Sequence, residues 1–87
     1  MTFDEHVVKH LKEPSLLHLL TGLSAECGEV SSLFQKAIYK RKPLSTEKLK
    51  EELGDVIFYV TAIAEKHNMT LEDLLNGNIE KLTRRNQ

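Results

Sequence analysis

Leu23-Ser24-Ala25-Glu26-Cys27-Gly28-Glu29-Val30 and Leu49-Lys50-Glu51-Glu52-Leu53-Gly54-Asp55-Val56 repeat one pattern at an offset of 26 residues, with Leu, Glu, Gly, an acid and Val in register. Carboxylates three apart on a helix share a face and repel, and a helix-interior Gly costs about 1 kcal/mol relative to Ala. Stability alone favours neither feature. A single E-x-x-E on a helix is ordinarily a solvated flank, but two copies with Gly in the same slot point to a role. On a helical wheel, Glu26 and Glu29 lie beside the apolar stripe Leu23, Cys27, Val30 and Phe34, and Glu52 and Asp55 lie on the same side of Leu49, Leu53, Val56 and Val60. If the two stripes pack as an antiparallel hairpin, the four acids converge at one edge of the seam. Gly28 and Gly54 would then let backbone or ligand come close.

Four converging carboxylates need cations. A hard oxygen set with no soft partner favours Mg²⁺ or Mn²⁺ over zinc or copper, and Mg²⁺ commonly recruits substrate phosphates to complete its octahedron. The pattern therefore predicts a metal platform for a phosphorylated substrate.

The rest of the chain bounds this reading. Eighty-seven residues with 40% apolar content make a single domain, residues 1–87, near the lower size limit for a self-sufficient core. A net charge of −1 gives no global reason to expect nucleic acid or an anionic membrane as partner. No apolar run approaches the roughly 20 residues that span a bilayer, and Met1-Thr2-Phe3-Asp4-Glu5-His6 lacks a basic region and an apolar signal core, so a cytoplasmic location is expected. Cys27 is the one cysteine, which excludes an intrachain disulfide, and its place on the stripe suggests packing. With two Pro, four Gly and almost no strand-like alternation, the fold is expected to be all-α.

Four helices are legible. Thr2 to Glu5 forms a capping box opening a short helix with Phe3, Val7 and Leu11 inward, ending near Glu13-Pro14. His6 and His10 have metal-ligand spacing but no third ligand nearby, and exposed histidines are the simpler account. Ser15 caps a long helix running to about Lys40, with Leu16, Leu19, Leu20, Leu23, Cys27, Val30, Phe34 and Ala37 as its stripe. Lys36, Lys40, Arg41 and Lys42 suit the negative end of that helix dipole; alternatively Lys36 leans toward bound phosphates. Ser45 or Thr46 caps a third helix reaching about His67. Its segment Val56 to Ala64 is apolar nearly all round, which predicts a covering second subunit or, alternatively, a fully central helix in a monomeric bundle. Asn68 stops it, and Thr70 with Asp73 caps a fourth helix whose stripe is Leu71, Leu74, Leu75, Ile79 and Leu82. Asn78 falls inside that stripe near Lys81, Arg85 and Arg84. It reads either as a buried amide for a phosphate or base contact or as part of an Asn76-Gly77-Asn78 turn that interrupts the helix.

Gly22 to Val30, Glu51 to Tyr59, and Asn78-Ile79-Glu80-Lys81-Leu82-Thr83-Arg84-Arg85 together resemble the MazG-like nucleoside triphosphate pyrophosphohydrolases, relatives of the all-α dimeric dUTPases and dCTP pyrophosphatases. The resemblance covers about residues 16–85. It implies a four-helix MazG-like bundle completed by dimerisation, as a homodimer or homotetramer. It also implies Mg²⁺-dependent cleavage of a nucleoside triphosphate between its α and β phosphates. By matching position it makes Glu26, Glu29, Glu52 and Asp55 the metal ligands, and Lys36, Asn78, Lys81 and Arg84 the phosphate or nucleotide contacts. Two departures are visible: Ala25 stands where many relatives carry a further Glu, and no aromatic tail follows Arg85-Asn86-Gln87. The rivals are a di-iron carboxylate bundle, which needs Glu-x-x-His pairs that this chain lacks, and a non-catalytic helical regulator that keeps only the bundle.

Overall fold

A computed structural model describes residues 1–12 and 15–86. Its helices are α1 (Phe3–His10), α2 (Leu16–Tyr39), α3 (Thr46–Lys66) and α4 (Leu71–Arg85). The all-α expectation holds: no strand occurs among the described residues. The expected end of the first helix at Glu13-Pro14 lies outside the described residues, as does Gln87; α1 itself closes at His10 with Leu11 as its cap.

The ends form where short polar side chains satisfy the free backbone groups that every helix leaves. Thr2 Oγ1 accepts from Glu5 N and Glu5 Oε1 accepts from Thr2 N, both at 3.1 Å. Ser15 and Ser45 accept from His18 N and Lys48 N, which settles the start of α3 in favour of Ser45 as cap. Thr70 and Asp73 make the second reciprocal box. Asn68 stops the run after α3 by taking a left-handed backbone, φ 60°, which Asn tolerates better than most residues. α4 runs unbroken through Asn76-Gly77-Asn78, so that tripeptide is not a turn.

α2 and α3 form a long hairpin and make the most extensive helix–helix contact of the fold. α3 is the shared helix: it also touches α1 and, more briefly, α4. The core gathers at one end of the hairpin, where Val7, Leu19 and Ala62 are buried and Leu11, Phe58, Tyr59 and Ile63 pack round them. The seam closes there because Gly22 presents no side chain to Tyr59. A Cβ at Gly22 would stand 2.8 Å from Tyr59 Cδ1 and nearer still to two other ring carbons. Asp4 ties α4 to α1: its Oδ1 accepts from Leu71 N at 3.0 Å, placing a carboxylate at the positive end of α4.

The two glycines of the repeat behave differently from Gly22. A Cβ at Gly28 or Gly54 meets nothing within 4 Å, so neither serves close packing within the chain. Cys27 is exposed rather than packed, and Asn78 is exposed rather than a buried amide.

Candidate metal centre

α2 supplies Glu26 and α3 supplies Glu52 and Asp55, one turn apart, so the antiparallel hairpin sets three carboxylates against each other across the seam. One oxygen from each lies within 4.8 Å of the others. Glu26 and Glu52 are half-buried and Asp55 is exposed. Two oxygens on opposite sides of one Mg²⁺ stand about 4.2 Å apart at the usual Mg–O distance of about 2.1 Å. A spread of up to 4.8 Å thus needs only a small side-chain adjustment to close on such an ion, and the donor set, all carboxylate oxygen, suits a hard cation.

The electrostatics point the same way. The Glu26 carboxyl is held above its ordinary pKa, first by burial, then by the Asp55 charge, by a hydrogen bond with Glu52 and by the charges of Glu52 and Glu29. Every charge in that set is negative. The cluster carries like charge at close range in a partly dry seam, an arrangement that a bound cation relieves.

Of the four acids singled out in the sequence, Glu29 stands apart. It is exposed and lies outside the close group, although near enough for its charge to act on Glu26. The remaining candidates are distributed more widely. Lys36 lines a surface recess of about 270 Å³ at the end of α2 with Ser32, Gln35, Tyr39 and Lys40. Ser32, Tyr39 and Lys40 are one helical turn either side of Lys36 and Gln35 adjoins it, a spacing visible in the sequence but not distinctive there. Asn78, Lys81 and Arg84 are exposed on α4, and none is among the groups acting on Glu26. His6 and His10 stack on each other at 4.5 Å between ring centroids, with His10 Nδ1 at 3.0 Å from the His6 carbonyl oxygen. Neither histidine belongs to the acid cluster.

A helical hairpin that brings carboxylates from two helices into one oxygen-only cluster gives an all-α protein a candidate site for a hard divalent cation. Residues 14–87 match the MazG nucleotide pyrophosphohydrolase domain, and the chain belongs to that family. It is similar to the Gene 37 protein of Mycobacterium phage L5, 30% identical over 74 residues that cover 80% of this chain. The chain spans 65% of the length of that relative. No solved structure matches it. Among the described residues, no helix is long and apolar enough to cross a membrane.

Proposed function

We propose that the chain is a Mg²⁺-dependent nucleoside triphosphate pyrophosphohydrolase, with Mn²⁺ able to substitute, converting a (d)NTP and water to (d)NMP and diphosphate. The observation that carries this reading is the meeting of Glu26, Glu52 and Asp55 across the α2–α3 seam in a chain of the MazG family. Glu26, Glu52 and Asp55 would hold the ion, with Glu29 as a fourth carboxylate at the rim. When bound, a divalent ion supplies charge neutralisation for the triphosphate and a lowered pKa for an adjacent water.

The chain's own groups then have defined tasks. A cluster carboxylate accepts the proton of the water whose oxygen attacks the α phosphorus, and the bond from that phosphorus to the α–β bridging oxygen breaks. Lys36, Lys81 and Arg84 offset charge on the departing diphosphate, and Asn78 contacts the nucleotide. The half-buried seam limits the water around Glu26 and Glu52, which strengthens each electrostatic contact there. A soluble nucleotide substrate fits a cytoplasmic location.

The test is diphosphate release from a panel of canonical and modified triphosphates with Mg²⁺ present. Glu52→Gln and Asp55→Asn are expected to lower turnover at least about 100-fold while helix content is kept, the scale of losing a charge-stabilising group. Undiminished turnover in either folded variant removes the mechanism.

A further inference from the structure

One motif of the sequence stands outside both the acid cluster and the proposed chemistry. His6 and His10 lie one turn apart on α1, and the fold brings their rings together at 4.5 Å between centroids, with 37° between planes. His6 is half-buried, with the Phe3 ring at 5.5 Å and the Phe58 ring of α3 edge-on at 6.1 Å. His10 is exposed, and its Nδ1 stands 3.0 Å from the His6 carbonyl oxygen. A carbonyl oxygen only accepts, so Nδ1 carries the proton in that contact. Neutral His10 therefore keeps its free lone pair on Nε2, where a metal ion can bind.

Packing against Phe3 and Phe58 asks only for a flat ring at position 6, and it asks nothing of position 10. Two features are instead those of a ligating pair. A histidine ligand regularly gives its other N–H to a backbone carbonyl or carboxylate, which fixes the tautomer and the ring orientation, and His10 makes such a bond. The separation also fits. With a metal–nitrogen distance of about 2.1 Å and each nitrogen about 1.1 Å from its ring centre, two imidazoles on one ion have centroids about 4.5 Å apart at a right angle and about 5.2 Å apart at the tetrahedral angle. The rings on α1 stand at the first of these separations.

We propose that His6 and His10 form a second metal site, a two-nitrogen chelate on α1 for a divalent ion of the zinc, nickel and copper class, with water completing the coordination. Donor chemistry separates it from the carboxylate cluster. Imidazole nitrogen suits Zn²⁺, Ni²⁺ and Cu²⁺, whereas Mg²⁺ and Mn²⁺ prefer oxygen. An ion here joins two side chains across one turn of α1, the helix from which Val7 enters the core and Asp4 holds Leu71 at the start of α4. It staples α1 and, through Asp4, secures the first turn of α4. The site stands whatever the chain hydrolyses.

Calorimetric titration of Zn²⁺ into the untagged chain, in millimolar Mg²⁺ and with Cys27→Ser to silence the exposed thiol, reads the site directly. The expected result is one saturable Zn²⁺ per chain, with affinity at least about tenfold weaker in His6→Gln and His10→Gln, each of which removes one of two protein ligands. His18→Gln, His67→Gln and Glu52→Gln are expected to keep the parent affinity. His10 is exposed, so His10→Gln keeps the test valid even where His6→Gln loosens the contact with Phe58. No saturable binding, or equal affinity in His10→Gln and the parent, overturns the site. A loss in Glu52→Gln as large as that in His10→Gln overturns it too, by assigning the ion to the acid cluster. With free Zn²⁺ at about ten times its Kd, amide exchange at residues 6–11 is expected to slow about tenfold. Unchanged exchange at bound Zn²⁺ overturns the staple.

Discussion

Gly22 on α2 leaves the space that the Tyr59 ring on α3 occupies, and no side chain of any size fits between them. The opposite holds at Gly28 and Gly54, where an added methyl group meets open space. Gly22→Ala is expected to destabilise the fold by roughly 1–3 kcal/mol through overpacking, less the ~1 kcal/mol that Ala gains over Gly in a helix. Gly28→Ala and Gly54→Ala are each expected to raise stability by up to about 1 kcal/mol. Urea unfolding of the three variants, measured on one oligomeric state, checks both signs. If the repeat glycines serve ligand approach, the stabilised variants will also show a raised KM.

Thr61 is fully buried on α3, and its Oγ1 has no hydrogen-bond partner among the described residues. Replacing an unsatisfied buried hydroxyl by a methyl group of the same shape relieves its desolvation cost. Thr61→Val is therefore expected to raise unfolding free energy by about 1 kcal/mol, read from the denaturant midpoint at constant slope. A loss of similar size would show that the hydroxyl is paired in the assembled protein.

The Asp4 to Leu71 hydrogen bond links the first and last helices. Removing it leaves a free N–H at the start of α4 and takes away the carboxylate that complements the helix dipole. Asp4→Asn is expected to cost about 1 kcal/mol and Asp4→Ala somewhat more. Amide exchange should quicken first at residues 71–75, while the α2–α3 hairpin keeps its protection.

Glu26 sets a pH dependence whose sign follows from its raised folded pKa. Its favourable contribution is complete below the ordinary carboxyl value of 4.5 and is lost as pH rises through the higher folded value. The metal-free protein is thus expected to lose stability from this group as pH rises above 4.5, and Glu26→Gln to remove that loss. Thermal unfolding in chelator across pH 4 to pH 7 checks the direction. Glu5 acts oppositely: its hydrogen bonds to Thr2 lower its pKa, so its contribution is lost as pH falls.

The features legible in the sequence are those set locally. Thr2, Ser15 and Thr70 cap helices because each side chain reaches its own first turn, which spacing alone reveals, whereas spacing left Ser45 and Thr46 as equal candidates for the third cap. Glu26, Glu52 and Asp55 could be brought together on paper because two matched stripes define one seam. What escaped notice depends on how helices sit against each other. Nothing near Gly22 announces Tyr59, 37 residues later, as its neighbour. Glu29 shares a spacing with Glu26 but is exposed and lies outside the close group of three, a difference that an i, i+3 rule is too coarse to resolve. Cys27 falls on an apolar stripe and so reads as packed, and Asn78 reads as a buried amide or as part of a turn, yet both are exposed helical residues, since a stripe says that a face wants cover without saying what provides it.

Mn²⁺ titration followed by its electron paramagnetic signal, with a non-hydrolysable triphosphate present, tests most directly whether carboxylates from α2 and α3 grip a divalent ion. The expected result is saturable binding by the wild type and an affinity at least about tenfold weaker in the folded Glu26→Gln and Glu52→Gln variants. Equal Mn²⁺ affinity in all three proteins would contradict it.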